Sequence, residues 1–318
     1  MAGKLYNDPE IGQVMLVKSG RGRRISIRVH PVKGVTVSIP YYLGYEDGMR
    51  FFMQKRGWVV DTVLRQRARL DQAERAGTAV GLLCSGSVVR TLLSEIVFVR
   101  DESVQPGGMA APERKAAVRV KTVSVEDVSR TGRLYLCLGC PVSSKSVIYP
   151  GTMPPEGSAA LSSLLSGVLV SILRDEARSL LPQKLSFLAG RYGFVYNNMA
   201  VKHNMTNWGS CSSRGNINLN LNLVRLPEPV CDYVILHELC HLRHPDHGPG
   251  FHTLLEKLCE DNMKRLSFLA ESMQQAPESG VQAEKDYIRS LISKMRRSRA
   301  KFPVHHVLEQ EVRKYRLV

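Results

Sequence analysis

The residues from Val234 to Leu242 read VILHELCHL and restrict the fold more than any other stretch of this chain. In an α-helix, positions four apart lie on one face about 6 Å apart along the axis, so His237 and His241 can direct their imidazoles toward one metal ion. Glu238 lies beside that face, where its carboxylate can accept a proton from a metal-bound water. The apolar neighbours predict that this HExxH helix is packed in a core.

A third metal ligand is expected just after this helix. His244 follows His237 by two helical turns, and a continuous helix would carry it about 10 Å along the axis, too far for metal–nitrogen bonds of about 2 Å. Pro245 disfavours helix at the residue before it and therefore predicts a turn. Such a turn can return His247 to the face that carries the other two histidines, so His247 is the favoured third ligand.

Two carboxylates on the next predicted helix compete with His247. Glu256 and Glu260 are alternatives because some catalytic zinc sites combine two histidines with a downstream glutamate. Imidazole ligands favour Zn²⁺ as the cofactor over Mg²⁺, and three protein ligands leave a fourth position for water. The predicted site residues are the zinc ligands His237, His241 and His247 and the catalytic base Glu238.

Four stretches together carry a resemblance to a known family. They are residues 208–220 (WGSCSSRGNINLN), residues 227–233, the HExxH helix and His247. This set resembles the YgjP-like metallopeptidase family, which is related to the SprT-like and WLM zinc-protease domains. Residues 21–29 and 54–59 also resemble the opening strand and helix of that family. The chain departs from it at Asn207, where the family usually has Arg, and at His252, where an aromatic residue is usual.

The resemblance implies a zinc-dependent metallohydrolase, first of all a metallopeptidase that cleaves protein or peptide substrates by Glu-assisted attack of zinc-bound water. Three alternatives stay open. One is a nucleotide (UTP-type) pyrophosphohydrolase, an activity sometimes attached to the family name, although such enzymes normally use a carboxylate-rich magnesium site. The second is a nucleic-acid-associated protease of SprT-like type. The third is a non-catalytic nucleic-acid-binding protein in which zinc is structural.

The predicted fold class is α+β, with three regions. Residues 1–155 form a β-rich N-terminal region with one amphipathic helix at 46–69. Residues 156–273 form the zincin-like catalytic domain, with the active-site helix, supporting helices and a small antiparallel sheet. Residues 274–318 form a basic C-terminal tail, for which no structure is predicted beyond Phe302.

Some local features of the catalytic region can also be predicted. The helix from 158 to 188 is expected to be interrupted at Pro182, and Asp232 is expected to cap the start of the HExxH helix. Residues 216–223 alternate asparagine with isoleucine or leucine, which predicts a strand with one buried face and one face of four amides. Such a strand could receive an extended substrate by strand addition, or be an ordinary antiparallel strand with a polar face.

The net charge of +15 is confined to the two ends of the chain. Residues 1–70 carry 13 Lys/Arg and 5 Asp/Glu, residues 285–318 carry 10 and 3, and the remainder carries 21 of each. Basic ends of this kind either bind a phosphate-rich partner such as RNA or DNA, or form a solvated surface. Nucleic acid is therefore a second candidate partner.

The sequence shows neither a secretory signal nor an apolar run long enough to span a membrane. The 7 cysteines are an odd number and are spread along the chain, as is typical of reduced thiols. Cys137 and Cys140 form a lone C-x-x-C with no second pair at zinc-finger spacing, so two cysteines at the end of a strand are favoured over a metal or redox site. We therefore expect an intracellular, cytoplasmic protein with no membrane partner.

Overall fold

The computed structural model describes residues 3–20, 22–30, 34–75, 81–103, 118–124, 143–272, 280–298 and 302–317. The chain divides into two compact units, Met1–Gly81 and Leu82–Val318, called here the N-terminal and C-terminal units. Residues 82–155, which the sequence analysis placed in the N-terminal region, thus lie in the C-terminal unit. The C-x-x-C at 137–140 lies outside the described residues. No helix in the described ranges is long and apolar enough to cross a membrane.

The N-terminal unit is one sheet packed against one helix. Its elements are β1 (Gly3–Asp8), β2 (Gly12–Ser19), β3 (Ser26–His30), β4 (Gly34–Pro40) and α1 (Tyr45–Arg75). The strand order is β1-β2-β4-β3, with β2 and β4 parallel and the other neighbours antiparallel. Strands β3 and β4 form an antiparallel hairpin. Apolar residues of β2 and β4 bury against α1 at Phe52 and Val59.

A buried carboxylate ties α1 to the first hairpin of this sheet. Asp8 accepts hydrogen bonds from the backbone N–H groups of Glu10 and Ile11, at 3.0 and 3.1 Å. Arg56 on α1 donates two further bonds to Asp8, at 2.7 and 2.9 Å. The Arg56 guanidinium lowers the pKa of Asp8 from 3.8 to about 2; burial opposes this shift and the two backbone donors add to it.

The C-terminal unit begins with a second sheet. It contains β5 (Val88–Arg90), β6 (Ser94–Asp101), β7 (Arg119–Ser124) and β8 (Ser143–Pro150), in the order β5-β6-β8-β7. The backbone N–H of Leu92 bonds to the carbonyl of Val224 at 2.7 Å, and that of Leu83 bonds to the Ser162 hydroxyl at 3.0 Å. These buried bonds explain why residues 82–155 belong with the helices that follow.

The rest of the C-terminal unit is mainly helical. It comprises α2 (Ala159–Tyr192), β9 (Asn198–Lys202), β10 (Gly209–Cys211), β11 (Asn216–Asn220), a 3-10 helix (Leu221–Arg225), α3 (Glu228–Cys240), α4 (Pro249–Ser272), α5 (Gly280–Ser298) and α6 (Val304–Val312). Its sheet has the order β10-β11-β9, with β10 antiparallel and β9 parallel to β11. The predicted antiparallel sheet is therefore wrong for β9. The helix α6 lies in a region for which the sequence predicted no structure.

Two local predictions in this unit are wrong because tertiary packing overrides local preference. Helix α2 continues through Pro182, where its neighbours Leu181 and Leu185 are fully buried and hold the helix in place despite the lost N–H. The strand predicted at 216–223 ends at Asn220, whose side chain accepts the backbone N–H of Asn222 at 3.0 Å and so caps the 3-10 helix. The predicted row of four amides therefore does not form.

The HExxH helix α3 is held by buried charges. Pro227 and Pro229 set its start, and Asp232, predicted as its cap, lies one turn inside it. Lys184 of α2 bonds to Glu228 at 2.5 Å and to Asp232 at 2.6 Å, and all three residues are at most 1% exposed. Asp232 also accepts bonds from Asn262 and Arg265 of α4. Charged pairs thus connect α2 and α4 to α3.

Replacing Lys184 with Met should destabilise the C-terminal unit by about 3–5 kcal/mol, because two buried carboxylates would lose their shared partner. Urea unfolding followed by Trp208 fluorescence, in a Trp58→Phe background, measures this loss. Lys257→Met, at an exposed position on α4, is the matched control and should change the free energy of unfolding by less than about 0.5 kcal/mol. Equal stability of the two variants would contradict the stabilising role of the Lys184 contacts.

The N-terminal unit should lose stability at acid pH through Asp8. The folded-state pKa of about 2 lies below the ordinary 3.8, so the stabilisation is fully present above pH 3.8 and disappears as the pH falls through about 2. Acid unfolding followed by Trp58 fluorescence, in a Trp208→Phe background, tests this. Asp8→Asn should flatten the acid dependence, whereas Asp61→Asn, at a position 68% exposed, should leave it unchanged.

Candidate metal centre

Helix α3 and the loop after it bring three histidines together. The helix ends at Cys240, and His241 keeps helical dihedrals as its C-cap. The backbone N–H groups of Arg243 and His244 bond to the Cys240 carbonyl, which closes the last turn. The chain then bends at 245–246 and enters α4 at Pro249, so that His247 returns to α3.

His237, His241 and His247, called here the histidine triad, each place one ring nitrogen within 4.8 Å of the other two. The Nε2 atoms of His237 and His247 are 3.1 Å apart. Two nitrogens bound to one tetrahedral ion through bonds of about 2.05 Å would be separated by about 3.3 Å, so this spacing fits a shared ion. The described residues contain no other group of three His, Cys, Asp or Glu side chains with such spacing.

The ring of Phe251, at the start of α4, packs against all three members of the triad. Its centroid lies 4.9 Å from that of His237, 4.7 Å from that of His241 and 4.7 Å from that of His247. An aromatic wall of this kind restricts the rotation of the imidazoles and holds their nitrogens together. Sequence reasoning missed this role, because Phe251 appears there only as the first apolar residue of a helix.

Burial favours the uncharged form of two members of the triad, His237 and His241, and this is the form in which histidine binds a metal. Burial, reinforced by the neighbouring imidazoles, lowers the pKa of His237 to about 4. Burial also lowers the pKa of His241. The Nδ1 of His241 lies 3.2 Å from the carbonyl of His244, to which it donates, so its Nε2 keeps a lone pair. These lone pairs are available as ligands without competition from protons near neutral pH.

Glu238 lies next to the triad and is 6% exposed. Burial raises the pKa of its carboxyl group to about 7. Strand β10 approaches this side chain so closely that a Cβ atom on Gly209 would be 2.7 Å from both Cγ and Oε1 of Glu238. Only glycine therefore fits at position 209 without moving the carboxylate. A glycine inside a strand can signal such close approach, but the sequence does not say to what.

The two carboxylates considered as rivals of His247 are not members of the triad. Glu256 accepts hydrogen bonds from the backbone N–H groups of Val304 and His305, at 2.7 and 2.9 Å, which commits it to the start of α6. Glu260 is not within the three-donor group either. His244 lies against Gly250, where an added Cβ would be 2.9 Å from its Cε1.

The asparagines predicted to form a substrate-binding face have other roles. Asn218 donates to the Ser210 hydroxyl at 3.1 Å, within the sheet. Asn220 donates to the carbonyls of Asn204 and Asn207, both at 2.8 Å. Strand β11 is also the central strand of its sheet, with both edges paired, so it cannot accept an added strand. The prediction that this strand receives the substrate is therefore wrong.

Comparison with known protein families supports the chemistry suggested by this geometry. Residues 159–272 match the family model described as YgjP-like, metallopeptidase domain. The matched segment runs from α2 to α4 and includes the histidine triad, Glu238 and Gly209. Searches of curated proteins and of solved structures find no match. Residues 159–272 of this chain are therefore similar to the metallopeptidase domain of the YgjP-like family.

Proposed function

We propose that this domain is a zinc-dependent metallopeptidase in which the histidine triad binds Zn²⁺ and Glu238 is the catalytic base. The single observation that carries the proposal is the convergence of three imidazoles, with ring nitrogens within 4.8 Å of one another, beside a buried carboxylate. Buried ionisable groups with shifted pKa values cluster at functional sites, because catalysis needs them there. The family match adds independent support.

The donor set suits zinc. Imidazole nitrogen is a preferred ligand of Zn²⁺, and three protein ligands leave one position of a tetrahedral ion for water or substrate, as in catalytic rather than structural sites. When bound, zinc supplies a Lewis acid that activates water and polarises the substrate carbonyl. The role of the triad is to hold the ion, and that of Phe251 is to keep the triad in place.

Glu238 handles the proton in this scheme. Its carboxylate accepts a proton as the oxygen of water bonds to the peptide carbonyl carbon, and returns that proton to the amine nitrogen as the C–N bond breaks. A pKa of about 7 suits a group that must both take and give a proton near neutral pH. Gly209 leaves the space that this carboxylate occupies.

Strand β10 is the proposed binding edge for an extended peptide. Among the described strands it pairs only with β11, so no described strand pairs with its other edge. It also lies against Glu238 through Gly209, which places an added strand beside the catalytic base. Backbone hydrogen bonds to an edge strand bind extended peptides with little dependence on their sequence. This edge without a partner strand favours a peptide substrate.

A nucleotide pyrophosphohydrolase is less well supported. Such an enzyme would use a magnesium site rich in carboxylates, whereas the three-donor group found in the described ranges consists of histidines alone. Nucleic-acid binding by the basic ends, and with it a protease of SprT-like type, rests on sequence charge and stays a prediction.

The Glu238→Gln variant should bind zinc like the parent and lose peptide hydrolysis by at least about 100-fold, because it keeps the side-chain shape without the basic carboxylate. His237→Ala and His247→Ala should instead lose zinc. Zinc content by mass spectrometry and hydrolysis of labelled casein, with and without chelator, distinguish the two classes of variant. Full activity of Glu238→Gln would show that the assignment of the base is wrong.

Replacing Gly209 with Ala should displace the Glu238 carboxylate and lower kcat by about 10- to 100-fold while zinc content stays unchanged. The matched control is Gly190→Ala on α2, where an added Cβ has no neighbour within 4 Å and the parent kcat is expected. Steady-state kinetics on labelled casein measures both. If Gly209→Ala kept the parent kcat, the close contact with Glu238 would have no catalytic importance.

A further inference from the structure

A second group of polar side chains lies next to the histidine triad. His252 is on α4, one helical turn before Glu256, and His305 comes from α6. The ring centroid of His252 lies 6.5 Å from that of His247. Its Nδ1 is 3.2 Å from Nε2 of His305, whose Nδ1 is 2.8 Å from Oε2 of Glu256. We call this sequence of contacts, from Glu256 through His305 to His252, the relay.

Glu256 determines which atom is the donor in its hydrogen bond with His305. Its two oxygens accept the backbone N–H groups of Val304 and His305, at 2.7 and 2.9 Å, and so cap the start of α6, where the N-cap residue Pro303 makes no such bond. Burial alone would raise the pKa of this carboxyl group. The hydrogen bonds that it accepts have the larger combined effect, so the pKa of Glu256 is lowered from its ordinary value. The ionised carboxylate can only accept hydrogen bonds, so Nδ1 of His305 must carry the proton.

The second bond follows from the first. When His305 carries a single ring proton, on Nδ1, its Nε2 has a lone pair and accepts a hydrogen bond from Nδ1 of His252. The two rings have centroids 5.2 Å apart and planes inclined by 28°, so with nitrogens at 3.2 Å they meet edge to edge, as a hydrogen bond requires. His252 is thereby held in the tautomer that leaves Nε2 unprotonated.

The ring nitrogen of His252 that takes no part in the relay is Nε2. The side chain of His252 is exposed, whereas His305 is buried at 8% exposure. Within the described part of the chain, no hydrogen bond is made to Nε2 of His252. A lone pair with a fixed direction, on an exposed residue next to the histidine triad, is suited to accept a hydrogen bond from a bound molecule.

We propose that His252 is a substrate-binding residue whose Nε2 accepts a hydrogen bond from the substrate at the histidine triad, and that Glu256 and His305 are positioning residues that set its tautomer. For a peptide substrate the donor is a backbone N–H near the scissile bond. The identity of that donor rests on the proposed function. The relay itself rests on the contacts of α4 and α6. His305 lies outside the segment 159–272, so α6 adds a group to the site from beyond the matched domain.

The tautomer of His252 can be measured without any activity. A two-bond ¹H–¹⁵N correlation spectrum of the zinc-loaded full chain, labelled with ¹⁵N-histidine, distinguishes a proton on Nδ1 from one on Nε2, and the His252 signals are those that vanish in His252→Gln. We expect Nδ1–H in the parent and a shift toward Nε2–H in His305→Phe. His306→Phe, one residue further along α6, is the control and should leave the His252 signals unchanged. A proton on Nε2 of His252 in the parent overturns the proposal.

Kinetics on labelled casein tests the contact with the substrate. Removing one neutral hydrogen bond in His252→Ala should raise KM about three- to tenfold, with kcat within about twofold and zinc content unchanged. His252→Gln, whose amide oxygen can accept a hydrogen bond, should restore part of the loss. An unchanged KM in His252→Ala, or loss of zinc from it, overturns the proposal.

The two proposals fail in different ways. If the zinc-loaded parent does not hydrolyse casein while its zinc content is full, the metallopeptidase proposal fails. The spectrum of the same sample then decides the relay by itself: Nδ1–H on His252 supports the relay and Nε2–H overturns it. If casein is hydrolysed and Glu238→Gln is inactive, a wrong tautomer or an unchanged KM for His252→Ala overturns only the role of His252.

Discussion

The burial of α3 on every side is the constraint on which the rest of the C-terminal unit depends. Nearly all residues of this helix are buried, so each polar side chain on it needs a partner. Glu228 and Asp232 find theirs in Lys184, which is almost fully buried with them. His237 and Glu238 form no salt bridge with any described residue. The two buried groups without a charged partner are thus the proposed metal ligand His237 and the proposed proton acceptor Glu238.

Each neighbouring element supplies one condition for the site. Strand β10 carries the glycine that makes room for Glu238, and α4 carries Phe251, which packs on the triad. Helix α6 orders His305 against α4 through Glu256. Removing one partner from the charged contacts of α3 leaves a buried charge unpaired, which costs far more stability than replacing the whole network with apolar side chains. Such networks fix the position of a helix more than they add to its stability. The position of α3 therefore determines the geometry of the site.

Much of the candidate metal centre could be predicted from the sequence because it is encoded locally. The spacing of His237 and His241 is a property of any α-helix, and the Pro245 turn is a property of proline. Where the structure departs from prediction, distant parts of the chain decide. The sequence predicts that Asp232 caps the HExxH helix, whereas in the fold its side chain forms an ion pair with Lys184 of α2. Gly209 gains a role only when β10 meets Glu238, and His305 only when α6 meets Glu256.

The coordination of zinc in the purified protein tests the central claim most directly. X-ray absorption at the zinc edge reports the type, number and distance of the ligand atoms. Coordination by the triad predicts three imidazole nitrogens at about 2.0–2.1 Å and one further light atom from solvent, with the imidazole signal reduced in His247→Ala. A sulfur ligand at about 2.3 Å, or an unchanged spectrum in His247→Ala, would contradict the assignment of the histidine triad as the metal site.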